Sequence, residues 1–92
     1  MNDEEILKDR ELKYGNPEQF FESYGAMCEI LDRYACMGQR KPNYAHLASL
    51  KLVLLKVLRS GFYPGHTDNY ADMRNYASIS EMCAGKSNKT NG

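Results

Sequence analysis

Tryptophan is absent from this chain, histidine and proline are scarce, and no charge of either sign is left over: twelve basic residues balance twelve acidic ones. A protein held to DNA mainly through phosphates needs a cationic surplus, and a nucleic-acid mimic needs an acidic one. Nucleic acid is therefore not an expected partner. The three cysteines, Cys28, Cys36 and Cys83, form no CxxC pair and are odd in number. They read as reduced, partly buried thiols of a cytoplasmic protein. The charged start MNDEEILKDRELK lacks the apolar core of a signal peptide. The one long apolar run is too short and too charged to cross a bilayer, so no membrane is expected. His46 and His66 lack partners at metal-ligand spacing, and no Ser–His–Asp or Cys–His arrangement can be assembled. No catalytic residue and no metal ligand is assigned, and no cofactor is expected. Strand alternation, internal repeats and a second domain are missing as well.

The apolar run is the stretch His46–Arg59, HLASLKLVLLKVLR. Leu47, Leu50, Leu54 and Leu58 recur at helical spacing, and Leu55 and Val57 widen the stripe. A helix apolar on most sides is usually central to its domain. Three further helices flank it. A short one covers Asp3 to Lys13, with Asp3, Glu4 and Glu5 at the end where the helix dipole favours carboxylates. Ile6, Leu7 and Leu12 are its candidate apolar edge. Gly15, Asn16 and Pro17 break it and start a second helix to about Met37. That helix carries the stripe Phe20, Tyr24, Met27, Cys28, Leu31 and Tyr34, with Gly25 a candidate for close helix approach. Asn43 caps the central helix. Ser60 to His66 reads as a Gly/Pro loop, and Thr67 or Asp68 caps a fourth helix that runs to about Cys83 with Met73, Tyr76, Ala77, Ser80 and Cys83 inward. The expected architecture is all-α: a small four-helix bundle, one helix short and three longer, spanning residues 1–84. Residues 85–92 have the composition of a disordered tail. A domain of this size often gains stability by self-association, so a homo-oligomer is expected.

Polar chemistry gathers at two places. Lys56 and Arg59 lie three residues apart on the central helix, and Asp68, Asp72 and Asn75 share one face of the next. The short connection makes these helices an antiparallel hairpin, which can bring the cations to the aspartates. Three readings stay open: an ion-pair network locking the hairpin, a site for a nucleotide or phosphate, or a divalent-metal site. Lys13-Tyr14-Gly15-Asn16-Pro17 is the second place. A helix start after a glycine turn exposes N–H groups to an anion, with Lys13 adding charge and Tyr14 a stacking face. Tyr63, Tyr70 and Tyr76 cluster around the hairpin, as core-rim residues or as stacking partners for a base.

The motifs Tyr14-Gly15-Asn16-Pro17, Lys56-Val57-Leu58-Arg59 and Asp68-Asn69-Tyr70-Ala71-Asp72 followed by Tyr76-Ala77 resemble a family of small domains of unassigned function, found mainly in bacteriophages and prophages. Its members share YGxP, KxxR and DNxxDxxxYA in this order, and the resemblance spans Ile6 to Cys83. More distantly, the pattern is similar to nucleotide-modification-associated phage domains and to the all-α NTP pyrophosphohydrolases of the MazG-like superfamily. That kinship implies a helical oligomer with a nucleotide as ligand. The pyrophosphohydrolases hold magnesium with ExxE on one helix and ExxD on another. Here Glu18 and Glu22 stand four apart. Glu29 and Asp32 have ExxD spacing but precede the central helix. Asp68 and Asp72 are a second pair with altered spacing.

The resulting expectation is a phage-type binding module for a nucleotide or nucleotide-like signal, serving nucleotide metabolism or sequestering a host defence signal. Its ligand-binding set is Lys13, Tyr14, Lys56, Arg59, Asp68, Asn69, Tyr70, Asp72 and Asn75, with the cations on phosphate, Asp68, Asn69 and Asp72 on ribose or base, and a tyrosine stacking. Two alternatives are an inhibitor that docks on a host enzyme or defence system, and a magnesium-dependent pyrophosphohydrolase. The expected location is the cytoplasm, that of the host if the chain is phage-encoded.

Overall fold

A computed structural model describes residues 2–90, except for the side chains of Glu11, Lys13, Tyr14 and residues 86–90. It is all-α, and the order is α1 (Asp3–Tyr14), α2 (Pro17–Gly38), α3 (Tyr44–Phe62) and α4 (Asp68–Thr90). No strand occurs among the described residues.

The first three helices start where the sequence supplies an asparagine cap. Asn2 accepts from Glu5 N at 2.8 Å and Asn16 from Gln19 N at 3.1 Å. Asn43 accepts from His46 N at 3.1 Å. Each cap satisfies one of the N–H groups that a helix start leaves open. Between α1 and α2 the chain reverses at Gly15, where φ is +79°. A side chain tolerates that left-handed conformation poorly.

α3 is the central helix, as its apolar breadth implies: it touches α1, α2 and α4, whereas α2 and α4 do not meet. Both long neighbours run antiparallel to it. Along α4, Asn43 Nδ2 donates to Cys83 O at 3.0 Å, Ser80 Oγ donates to Ser49 Oγ at 2.8 Å, and Lys56 Nζ lies 2.8 Å from Asp72 Oδ2. Residue numbers rise on one helix as they fall on the other, so the hairpin is closed by polar ties at three levels. Along α2, Lys51 Nζ meets Asp32 Oδ1 at 3.0 Å, and the Arg59 guanidinium sits 5.4 Å from the Phe20 ring centroid.

The fully buried apolar core is small, Phe20 and Leu47. Leu50, Leu54, Leu55 and Leu58 are half-buried. Several expected packing positions are not packed. Leu7 and Leu12 are exposed, which leaves Ile6 as the half-buried edge of α1. Tyr34 at the end of the α2 stripe is 71% exposed, because α2 turns that flank away from α3. Ala77 is exposed, and a Cβ built on Gly25 would meet nothing within 4 Å, so no helix approaches there. α3 takes in Ser60, Gly61 and Phe62, and the loop expected from Ser60 begins at Tyr63. α4 stays helical to Thr90, past the expected end at Cys83, and Asn91 and Gly92 lie outside the described residues. Among the described residues, no helix is long and apolar enough to cross a membrane.

Candidate functional site

Gly15 sets the geometry of the site. A Cβ placed there would come within 3.1 Å of the Phe62 ring, so the ring lies flat against the glycine turn at the far end of α3. The start of α2 and the last two turns of α3 are thereby brought side by side. Between them is an apolar cleft of about 330 Å³, lined by Asn16, Gln19, Phe20, Ser23, Leu58 and Phe62 together with the two glycines Gly15 and Gly61. Its size is at the lower end of the range for small-molecule sites. Asn16, Gln19 and Ser23 give one wall hydrogen-bonding capacity, and the opposite wall is apolar.

A second crevice, about 170 Å³, shares Gly15 and Phe20 with the first. Arg10, Pro17, Phe21 and Arg59 complete its walls. Two guanidinium groups from α1 and α3 thus border a space floored by the Phe20 and Phe21 rings, which meet edge to face with centroids 5.2 Å apart. Arg59 is half-buried and Arg10 exposed. A guanidinium beside an aromatic face combines a cation–π contact with a planar fork that matches carboxylate or phosphate geometry.

The expected ligand set divides on this geometry. Arg59 lines the arginine crevice. Lys56 instead points to α4: its side chain is 16% exposed and its ammonium bonds Asp72, whose side chain is 42% exposed. That contact is the ion-pair lock among the three readings of the Lys56/Asp72 pattern, although an ion pair and a ligand site are not mutually exclusive. Asp68 and Asn75 are exposed, and Tyr70 is 39% exposed. Asn69 is 2% exposed, and its amide nitrogen finds no partner among the described residues. It belongs to the packed base of the hairpin, where its N–H donates to His66 O at 3.2 Å. Lys13 and Tyr14 have side chains outside the described residues.

Arg10, Phe21, Gln19 and Phe62 carry the two cavities, and sequence reasoning had not assigned them to a site. The signal for Phe62 was hidden in an expected loop, and that for Arg10 in a generic charged face. The Phe20-Phe21 doublet after a Gly-Asn-Pro turn was the one legible hint. Among the described residues, no group of three or more His, Cys, Asp or Glu stands where it could hold a metal ion. The acids are dispersed into pairs, Asp32 with Lys51, Glu29 with Arg33 and Asp72 with Lys56. Cys28, Cys36 and Cys83 are free thiols, Cys36 exposed and the other two half-buried. Burial raises the Tyr24 hydroxyl above the ordinary tyrosine range, and contact with Cys28 adds to the effect.

The fold and its cavities define a small all-α domain built on a central helix, with an apolar cleft next to a crevice that two arginines line. A family model described as "Domain of unknown function (DUF6378)" matches residues 2–84, and the chain belongs to that family. No curated protein matches the chain, and no solved structure does.

Proposed function

We propose that the chain binds a nucleotide or nucleotide-like anion in the two neighbouring cavities at the α1–α2 turn. The observation that carries this reading is the arginine crevice, lined by Arg10 and Arg59 and sharing the lining residues Gly15 and Phe20 with the apolar cleft beside it. Phosphate would sit between the guanidinium groups, where charge-assisted and bidentate contacts are strongest. The base would enter the cleft beside Phe20 and Phe62, with Asn16, Gln19 and Ser23 offered to its edge. Lys56 and Asp72 would support the site by holding the hairpin that carries Arg59. Asp68, Tyr70 and Asn75 remain exposed at the start of α4 and are available to a ligand that extends past the crevice. Binding is favoured over hydrolysis because no three acidic, histidine or cysteine side chains converge on one metal position among the described residues. Such a module would serve nucleotide metabolism or the sequestration of a nucleotide signal, in keeping with the phage-type motif pattern.

The test is isothermal titration calorimetry of the full chain against a panel of ribo- and deoxyribonucleotides. Saturable binding by part of the panel is expected. Loss of the charge-assisted contacts in Arg59→Ala should weaken it by about tenfold to a hundredfold. Absence of binding across the panel, or unchanged affinity in a folded Arg59→Ala chain, refutes the assignment.

A further inference from the structure

We propose that α2 pairs with the α2 of a second copy of this chain, so that the protein is a two-fold symmetric dimer. Met27, Ile30, Tyr34 and Met37 follow one another at steps of three, four and three residues, which is the spacing of a seam between two packed helices. The seam flanks the side of α2 that meets α3, and α4 does not reach α2 to cover it. Its outer members are open: Ile30 is 50% exposed, Tyr34 71% and Met37 81%. Glu18, Glu22 and Glu29 fall well round the helix from it, so no charge interrupts the stripe.

The surface area shows that a single chain leaves more exposed than a compact monomer of its mass would. The chain exposes 6951 Å². A compact monomer of 10.5 kDa exposes roughly 5,400 Å². The surplus is about 1,500 Å² per chain on that scaling. Part of it comes from the end of α4, which runs beyond the start of α3 at the level where Asn43 meets Cys83. The surplus exceeds the roughly 800 Å² that each partner contributes to a stable interface. The radius of gyration, 15.8 Å, likewise exceeds the value of about 12 Å for a compact chain of this length.

The chemistry favours another copy over other occupants. A 3-4 seam is complementary to itself, and an isologous contact uses the same patch twice. Zero net charge removes the self-repulsion that would oppose it. A helix that lies on a membrane surface carries cations on its polar face, whereas α2 carries mostly glutamates there.

The test is the solution mass of the full chain, by light scattering coupled to gel filtration, over a concentration series. The expected mass is twice the 10.5 kDa of one chain. Ile30→Glu with Tyr34→Glu should give a single-chain mass with an unchanged helical circular dichroism spectrum, because both side chains are exposed in the isolated chain. Ile79→Glu with Met82→Glu, on exposed positions of α4, should leave the dimer intact. Should the α2 double variant fail to fold, Ile30→Ala keeps the test open, with a dimer dissociation constant at least tenfold weaker. A single-chain mass for the wild type at all concentrations overturns the proposal. So does dissociation by the α4 substitutions and not by those on α2. Neither mass measurement involves a nucleotide, so this interface and the ligand site stand or fall separately.

Discussion

Substituting Gly15 by alanine tests the turn on which both cavities depend. Two costs combine at this position. The backbone is left-handed, with φ +79°, and an L side chain there costs about 1–2 kcal/mol. The new Cβ would also lie 3.1 Å from a Phe62 ring carbon, so the ring must give way by a few tenths of an ångström, at about 0.5–1 kcal/mol. The total is about 2 kcal/mol, which for a chain of this size lowers the melting temperature by roughly 8–16 °C. Gly25→Ala is the matched control, because its site is helical, exposed and open. Alanine should stabilise there by about 0.5–1 kcal/mol, since the unfolded chain loses more freedom with glycine. Urea denaturation followed by circular dichroism reads both variants, and Phe62→Ala closes a double-mutant cycle with Gly15→Ala. In the Phe62→Ala background the cost of alanine should fall to the backbone share alone. Gly15→Ala as stable as the wild type would refute the reasoning, and an unchanged cost without the ring would refute the contact.

Three further outcomes separate structure from function. Lys56→Ala should lower stability by about 1–2 kcal/mol, between the values for exposed and buried ion pairs, while nucleotide affinity measured by calorimetry changes far less than in Arg59→Ala. Equal losses of binding in the two variants would place Lys56 on the ligand. Asn43→Ala removes both the cap of α3 and the bond to Cys83 O, so urea denaturation should register a loss of about 1–2 kcal/mol. The Tyr24 hydroxyl titrates above its ordinary range in the folded chain. Its contribution is therefore complete below the unfolded-state value near pH 10 and is lost as pH rises through the folded value. Alkaline melting curves should accordingly show a shallower decline for Tyr24→Phe, and identical curves would contradict the burial of that hydroxyl.

Short-range chemistry made much of this molecule readable in advance. Asn16 and Asn43 cap their helices because a side-chain oxygen next to a helix start has open N–H groups within reach, a property of a few adjacent residues. α3 is central because a stripe of leucines covering most of a helix can be satisfied only by neighbours on several sides. The antiparallel hairpin follows from the short connection after Phe62, and with it the meeting of Lys56 and Asp72. The direction of Arg59 was not legible. Lys56 and Arg59 are three residues apart and look equivalent on a helical wheel, yet one turns to α4 and the other lies over Phe20 of α2. Only the way α2 crosses the end of α3 separates them.

The sequence by itself determined the helices, their caps and their order, because periodicity and capping are written within a few residues of each other. Tertiary structure alone decided that Arg10, Phe21 and Phe62 share one crevice region with Arg59, and that the outer flank of α2 is left without a neighbour. Those outcomes depend on contacts between residues dozens of positions apart, whose angles no local pattern specifies. They are set by how the few buried side chains, Phe20 and Leu47 foremost, pack against one another.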